Sequence, residues 1–354
     1  MKINSQYLLN IILYSQIKRK IHAEVLHRFF FRKNMKPVFK SFLKNFSVSE
    51  EHASLILDAS SHNTYIETIS NKADSLHYHI AKGYVEYSDK EFYNAVEKRI
   101  KKMRFGAVDI VIDITSENFY GKSTGLYLHN WTGEEGVQAK HQFLVAGILF
   151  RNKIYPFYAA ILPIGTFKSE YIGKICDLCS KLNLKVKLVK LDRGFYSGEV
   201  IDELELKGMN YLIFAKKSSL FKCMLEGIDI SAIVKHEIKY KKGKSSHNAE
   251  TDIALVKDIN GYDWVFATNL FLHDARKYVE LYMARWSIET MFRVHDEARI
   301  KSKSVNPLIR LFYFIISLLL LFIWNLSFKE NYTFKRFVIN LEQMLKNVEV
   351  SRAN

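Results

Sequence analysis

The sequence predicts an α/β chain built on a mixed sheet flanked by helices, and three observations predict it. At Ala107 the pattern switches to a β-branched apolar run, AVDIVIDIT, bounded by Gly106, as expected of a buried strand. From there to Lys216 the signals follow the order βββαβαβ, which calls for a mixed sheet with helices packed on it. Beyond Lys217 an antiparallel meander is marked by Asn260-Gly261, the strongest hairpin signal in the chain.

Residues 1 to about 46 hold ten Lys/Arg against one acid, Glu24, with apolar residues at helical spacing, so one or two basic amphipathic helices are expected. Such an excess of positive charge suits DNA phosphates, although a solvated helix face would look similar. SVSEEHASLILDAS and SHNTYIETISNKA then read as two short helices opened by Ser or Asn caps, a spacing compatible with a helix-turn-helix. The first three strands are AVDIVIDIT, HQFLVAGILF and KIYPFYAAIL. A helix over about 168–184, the strand VKLVKLD, a helix over about 197–207 and the strand YLIFAK complete the first sheet unit. The meander consists of IVKHEIKYK, TDIALVKD and DWVFATN. A long helix is expected over about 274–300, then an apolar helix, then a basic tail helix between Thr333 and Val348.

The chain has 354 residues, 48% of them hydrophobic, enough to bury a large core; 4 Pro and 15 Gly leave little room for flexible linkers. Lys and Arg exceed Asp and Glu by 52 − 37 = 15, which favours a polyanionic partner, nucleic acid or an anionic membrane. Three cysteines cannot frame a disulfide scaffold. The Cys176-x2-Cys179 pair lies in a helical pattern with no second ligand pair, so it reads as core packing rather than a zinc site. The run Leu311 to Leu326 is 16 residues, short of the roughly 20 that cross a bilayer, and is expected to be a core helix.

A carboxylate buried without a partner is costly, so Asp113, set among Val111, Ile112 and Ile114, needs a reason to be there. Asp109, nearer the start of that strand, is read as a cap; Asp113 is read as lying at the strand's carboxyl end. Asp192 ends VKLVKLD, and central strands of an α/β sheet present such ends to ligands. Two acids held together call for a cation, and oxygen ligands suit magnesium or manganese. On the long helix, Tyr282, Arg285 and Glu289 fall at offsets of three and four and share a face, with Arg293 four residues on. An acid for metal beside arginines for phosphate competes here with an ordinary surface ion pair.

DITSENFYGK, LDRGFYSGEVIDELELKGMNYLIFAKK and Tyr282-x2-Arg285-x3-Glu289 together resemble the DDE transposases of bacterial and archaeal insertion sequences, the group with a Tyr-x2-Arg-x3-Glu signature, over roughly residues 105 to 327. The resemblance implies an RNase H-like catalytic core with a β-rich insertion, preceded by an α-helical N-terminal region. The division it implies is 1–105 (helical, basic), 106–217 and 273–328 (core), 218–272 (insertion) and 329–354 (tail). It makes Asp113, Asp192 and Glu289 the catalytic acids holding two Mg2+ or Mn2+ ions, and Tyr282, Arg285 and Arg293 contacts to DNA, with Lys122 and Arg193 as further candidates. Terminal inverted repeats and target DNA would be the partners, a homodimer the active form, and the prokaryotic cytoplasm, in association with the nucleoid, the location, with no membrane. In the family the signature continues past its Glu, after six more residues, with a Lys that touches DNA; this chain has Asp296 at that position, and Arg293, Arg299 or Lys301 are the possible substitutes. A nuclease of the same fold that does not join strands, and a decayed DNA-binding protein, are the alternatives.

Overall fold

β1, Ala107–Phe119, is the strand on which the architecture hangs, and it is longer than the apolar run alone predicts. The computed structural model describes residues 38, 42–43, 50–83, 90–121, 125–131, 133–327 and 332–353. In it β1 pairs antiparallel with β3, Ala139–Phe150, from Asp109↔Leu149 out to Phe119↔Ala139, so polar residues 115–118 stay in the ladder because a partner strand meets them. Asp113 is therefore a mid-strand residue, not one at the carboxyl end. The short β2, His129–Asn130, and β4, Lys153–Ile161, also pair with β3.

On its other side β1 runs parallel to β5, Lys185–Leu191, with Ile112 opposite Leu191. β6, Tyr211–Phe214, continues in parallel, and β9, Tyr262–Thr268, β8, Ser245–Ile259, and β7, Ser231–Lys242, extend the sheet antiparallel. The sheet order is β2-β3-β1-β5-β6-β9-β8-β7, with β4 on β3. The meander thus belongs to the same sheet as the first strands, joined through the β6–β9 pairing.

The described helices of the amino-terminal part are α1, Glu50–His62, α2, Ala73–Gly83, and α3, Glu91–Lys102. The second expected helix, over 61–73, does not form. Asn63 takes a left-handed conformation (φ 51°) that ends α1, and the backbone of Thr64 and Ile66 bonds to Lys301, which holds this stretch to the carboxyl-terminal half. The stretch forms only a 3-10 turn, Ile66–Thr68, and an α-helix begins at Ala73. The basic segment 1–46 lies almost wholly outside the described residues.

α4, Lys168–Lys181, and α5, Gly198–Leu206, pack on each other, and α5 also packs on β8. Cys176 and Cys179 are buried in α4, as free cysteines used for packing. α6, Ser219–Glu226, precedes the meander. The long helix expected over 274–300 is broken into α7, Ala275–Met283, a 3-10 turn, Ala284–Trp286, and α8, Ser287–Asp296. The tightened turn sits where Arg285 is drawn inward, to 4% exposure.

α9, Pro307–Ser327, has 21 residues, so its length, unlike that of the apolar run alone, does not set it apart from a membrane span. It is the one described helix long and apolar enough to cross a bilayer, and 83% of its apolar window is buried within the protein. It packs on β4, α2, α3, α8 and α10, Phe334–Ala353. Phe314 stacks on Phe143 of β3 with centroids 4.3 Å apart, and its carbonyl lies 3.2 Å from Nε2 of the buried His295. Phe314→Ala should cost about 3–5 kcal/mol in urea unfolding, the range for emptying a buried aromatic site. A loss under about 1 kcal/mol would mean that α9 is not the core helix described.

Candidate active site

Two parallel strands bring the first two acids together. Because Ile112 faces Leu191 across the β1–β5 ladder, Asp113 and Asp192 are the next residues on neighbouring strands, which lie about 4.8 Å apart in any sheet. β5 ends at Leu191, so Asp192 is the first residue past the strand; its Oδ1 accepts the Arg193 N–H at 2.6 Å and caps a 3-10 turn, Arg193–Phe195. The Asp113 Oδ1 accepts the Ile114 N–H at 2.8 Å.

The third acid arrives on α8, and the 3-10 turn before it carries the cation. Arg285 donates from Nη1 to Asp113 Oδ2 at 2.8 Å and from Nη2 to Glu289 Oε1 at 2.6 Å, so one guanidinium spans acids 289 − 113 = 176 positions apart in sequence. Its side chain is 5% exposed, against 13% for Asp113 and 57% for Glu289. Tyr282, from the last turn of α7, packs among Trp264, Phe266 and Phe214 and brings its hydroxyl to 3.5 Å from Asp192 Oδ1. Its ring lies 5.2 Å from the Arg285 guanidinium. Tyr282, Arg285 and Glu289 therefore meet Asp113 and Asp192 in one place, despite the break in the helix.

Burial pushes the Asp113 carboxyl up to about 6; Asp192 adds to the rise, and Arg285 and the Ile114 N–H oppose it. Burial likewise raises the Tyr282 hydroxyl, leaving it a neutral donor beside Asp192. The cluster is short of positive charge: of the three carboxylates, the guanidinium bonds two, Asp113 and Glu289.

The remaining expected residues divide. Arg293 is exposed on α8, one turn beyond Glu289, and Arg193 is exposed beside Asp192. Lys122 lies outside the described residues. Of the substitutes for the missing signature Lys, Arg299 is engaged, with Nη2 at 3.1 Å from Glu117 and Nη1 at 3.5 Å from Asp296. Arg310 holds the same Glu117 at 2.6 Å, so these two arginines fasten the segment after α8 to β1. Asp109 is not a cap: it pairs at 2.7 Å with Lys190, a β5 lysine only 1% exposed.

Sequence reasoning missed Lys168. Its Nζ donates to Gly194 O at 2.6 Å, bracing the turn that Asp192 caps. Burial lowers its pKa and Asp192 opposes that. The available signal was its position as the first residue of α4, where the helix dipole disfavours a cation unless something nearby wants it.

The three acids offer only hard oxygen donors around a seat already taken by a cation, which fits a divalent metal. Among the described residues the group of His, Asp or Glu whose donor atoms all lie within 4.8 Å of one another is a different one, Asp58, His62 and Glu342, between α1 and α10. In the cluster of Asp113, Asp192 and Glu289, Arg285 holds two of the acids instead.

Residues 169–326 match the family model described as the transposase DDE domain. Over that stretch the chain is similar to the transposase DDE domain. The match takes in Asp192, Tyr282, Arg285 and Glu289 and begins after Asp113, which the β1–β5 register sets beside Asp192. A solved structure similar to this chain is the cryo-EM structure of a piggyBac transposase synaptic complex with hairpin DNA. It is 10% identical, with a TM-score of 0.52, over 90% of this chain and 70% of that one. That likeness is one of fold, and it agrees with an RNase H-like α/β core. Among curated proteins no match is significant.

The raised Asp113 fixes the sign of a pH effect. Between about pH 4, near the ordinary carboxylate value, and about pH 6 the folded protein holds a proton that the unfolded chain has released. Stability without divalent metal should therefore fall as pH rises through that window, and Asp113→Asn should remove this component. Urea midpoints of the two proteins in EDTA that differ by a constant amount from about pH 4 to about pH 6.5 would contradict the assignment.

Proposed function

We propose that this chain cuts DNA at the ends of a mobile element and joins those ends to target DNA, with Asp113, Asp192 and Glu289 holding the divalent metal. The observation that carries the reading is the convergence of three acids, from β1, the end of β5 and α8, around a single guanidinium at 2.6–2.8 Å from two of them. The transposase DDE domain over residues 169–326 supports the same reaction class.

Two magnesium or manganese ions at these acids would supply activation of the attacking hydroxyl, from water and then from a DNA 3′ end, and stabilisation of the leaving oxygen. The chain's own residues do the positioning. Asp113 is fixed by its strand and by the Ile114 N–H, and Asp192 by the Arg193 N–H and the turn that Lys168 braces. Tyr282 stays neutral and aims its hydroxyl at Asp192. Glu289, the exposed acid, is the one most open to an incoming DNA strand. Exposed Arg193 and Arg293 flank the acids and suit phosphate contact, bidentate where geometry allows. The net charge of +15 supplies the general attraction to DNA that such an enzyme needs.

Terminal inverted repeats as the cleaved sequence, a homodimer as the active form, and action in the prokaryotic nucleoid complete the proposal. A nuclease that cuts without joining is separated from it by the products: strand transfer leaves substrate ends covalently linked to target DNA.

Asp113→Ala, Asp192→Ala and Glu289→Ala should each lower magnesium-dependent cleavage of element-end DNA by at least about 10³-fold, roughly 4 kcal/mol in the barrier. Filter or mobility-shift binding to the same DNA should persist. Near-normal cleavage by any one of them would remove that residue from the metal-holding set.

A further inference from the structure

Arg285 is engaged in a way that a surface ion pair or a simple phosphate clamp does not explain. Its side chain is 5% exposed, both terminal nitrogens are spent on acids, and its Nε is buried with no hydrogen-bond partner. An inward cation with one donor left unsatisfied is costly to keep, and it persists where removing it would leave carboxylates uncompensated. The oxygens it holds are also the useful ones. Asp113 Oδ1 already accepts the Ile114 N–H, so Oδ2, the atom that takes the Arg285 Nη1, is the oxygen open to another ligand. At the other end Arg285 holds Oε1 of Glu289, whose side chain is 57% exposed and lies one helical turn away. A guanidinium and a divalent ion therefore compete for the same two carboxylates, Asp113 through its Oδ2.

Resting on the reading of these acids as a metal site, we propose that Arg285 is the resident counter-ion of that site: it bridges Asp113 and Glu289 until divalent metal binds, leaves that seat when metal enters, and then offers its fork to a DNA phosphate. Metal occupancy and phosphate binding are thereby coupled through one side chain, and the coupling is reciprocal. The side chains of Arg285 and the exposed Glu289 provide the movable side of the bridge, while Asp113 in mid-strand and Asp192, fixed at the end of β5 by its own hydrogen bond, provide the fixed side. Arg285 is thus a positioning residue before it is a substrate contact.

The test is Mn2+ binding to the DNA-free full chain, followed by electron paramagnetic resonance, for wild type, Arg285→Gln, Asp192→Asn and Glu289→Gln, with melting temperatures in EDTA and in Mn2+. Arg285→Gln should bind Mn2+ roughly tenfold or more tightly than wild type, since the competing cation is gone, a gain of about 1.4 kcal/mol. It should melt lower than wild type in EDTA and recover most of that loss in Mn2+, which a merely structural arginine would not do. Asp192→Asn and Glu289→Gln should bind Mn2+ weakly. Unchanged or weaker Mn2+ binding by Arg285→Gln, with the two acid variants still impaired, overturns the counter-ion role and leaves the metal site standing. Wild-type binding by both acid variants overturns the metal site and the proposal with it. If Arg285→Gln does not fold, a crystal structure of the wild type with Mn2+ decides: Arg285 withdrawn from Asp113 supports the proposal, and Arg285 still bridging Asp113 and Glu289 beside a bound ion overturns it.

Discussion

Two carboxylates on neighbouring parallel strands must be neutralised, and much of this structure answers that demand. The β1–β5 register sets Asp113 and Asp192 side by side at the edge of a hydrophobic core, where an unpaired charge is costly. The answer comes from far along the chain. α7 and α8 pack against the sheet so that Tyr282 reaches Asp192 and Arg285 reaches Asp113, and Glu289 follows one turn later. The result is a net anionic site held by one cation, which is the electrostatic condition of a metal-dependent phosphoryl-transfer centre.

The apolar interior makes that placement rigid. α9 is buried on nearly every side, stacks Phe314 on Phe143 of the strand beside β1, and faces His295 near the end of α8. The helix that carries Glu289 is therefore braced by α9. Glu117, four residues beyond Asp113 on β1, ties down Arg299 and Arg310 and closes the segment between the two helices. Thr64 and Ile66 bond to the backbone of Lys301, so the amino-terminal helices are attached to this same segment. Movement of α8 would be felt at all three attachments.

Much of this was legible in the sequence. β-branched runs located the strands, Asn260-Gly261 located the β8–β9 hairpin, and the spacing of Tyr282, Arg285 and Glu289 put them together. What was not legible depended on tertiary partners. The extension of β1 through polar Ser116 and Glu117 needs β3 alongside it, so period alone ended the strand early. The break in the long helix follows from Arg285 turning inward to two acids, which no local propensity encodes. Lys190 looks like any strand lysine until Asp109 is seen diagonally across the β1–β5 ladder, and the turn over 63–69 reads as helix until its backbone is seen bonded to Lys301. Lys168 was hidden for the same reason, since its partner is the backbone of Gly194.

Everything proposed for this chain requires that divalent metal bind among Asp113, Asp192 and Glu289, and iron-mediated backbone cleavage reads that binding in place. Fe2+ replaces the ion, and ascorbate with peroxide cuts the chain only beside where it sits. Three groups of cuts are expected, around residues 113, 192 and 289, all suppressed by excess Mg2+. Cuts confined to the neighbourhood of Asp58, His62 and Glu342, with none at the three acids, would contradict it.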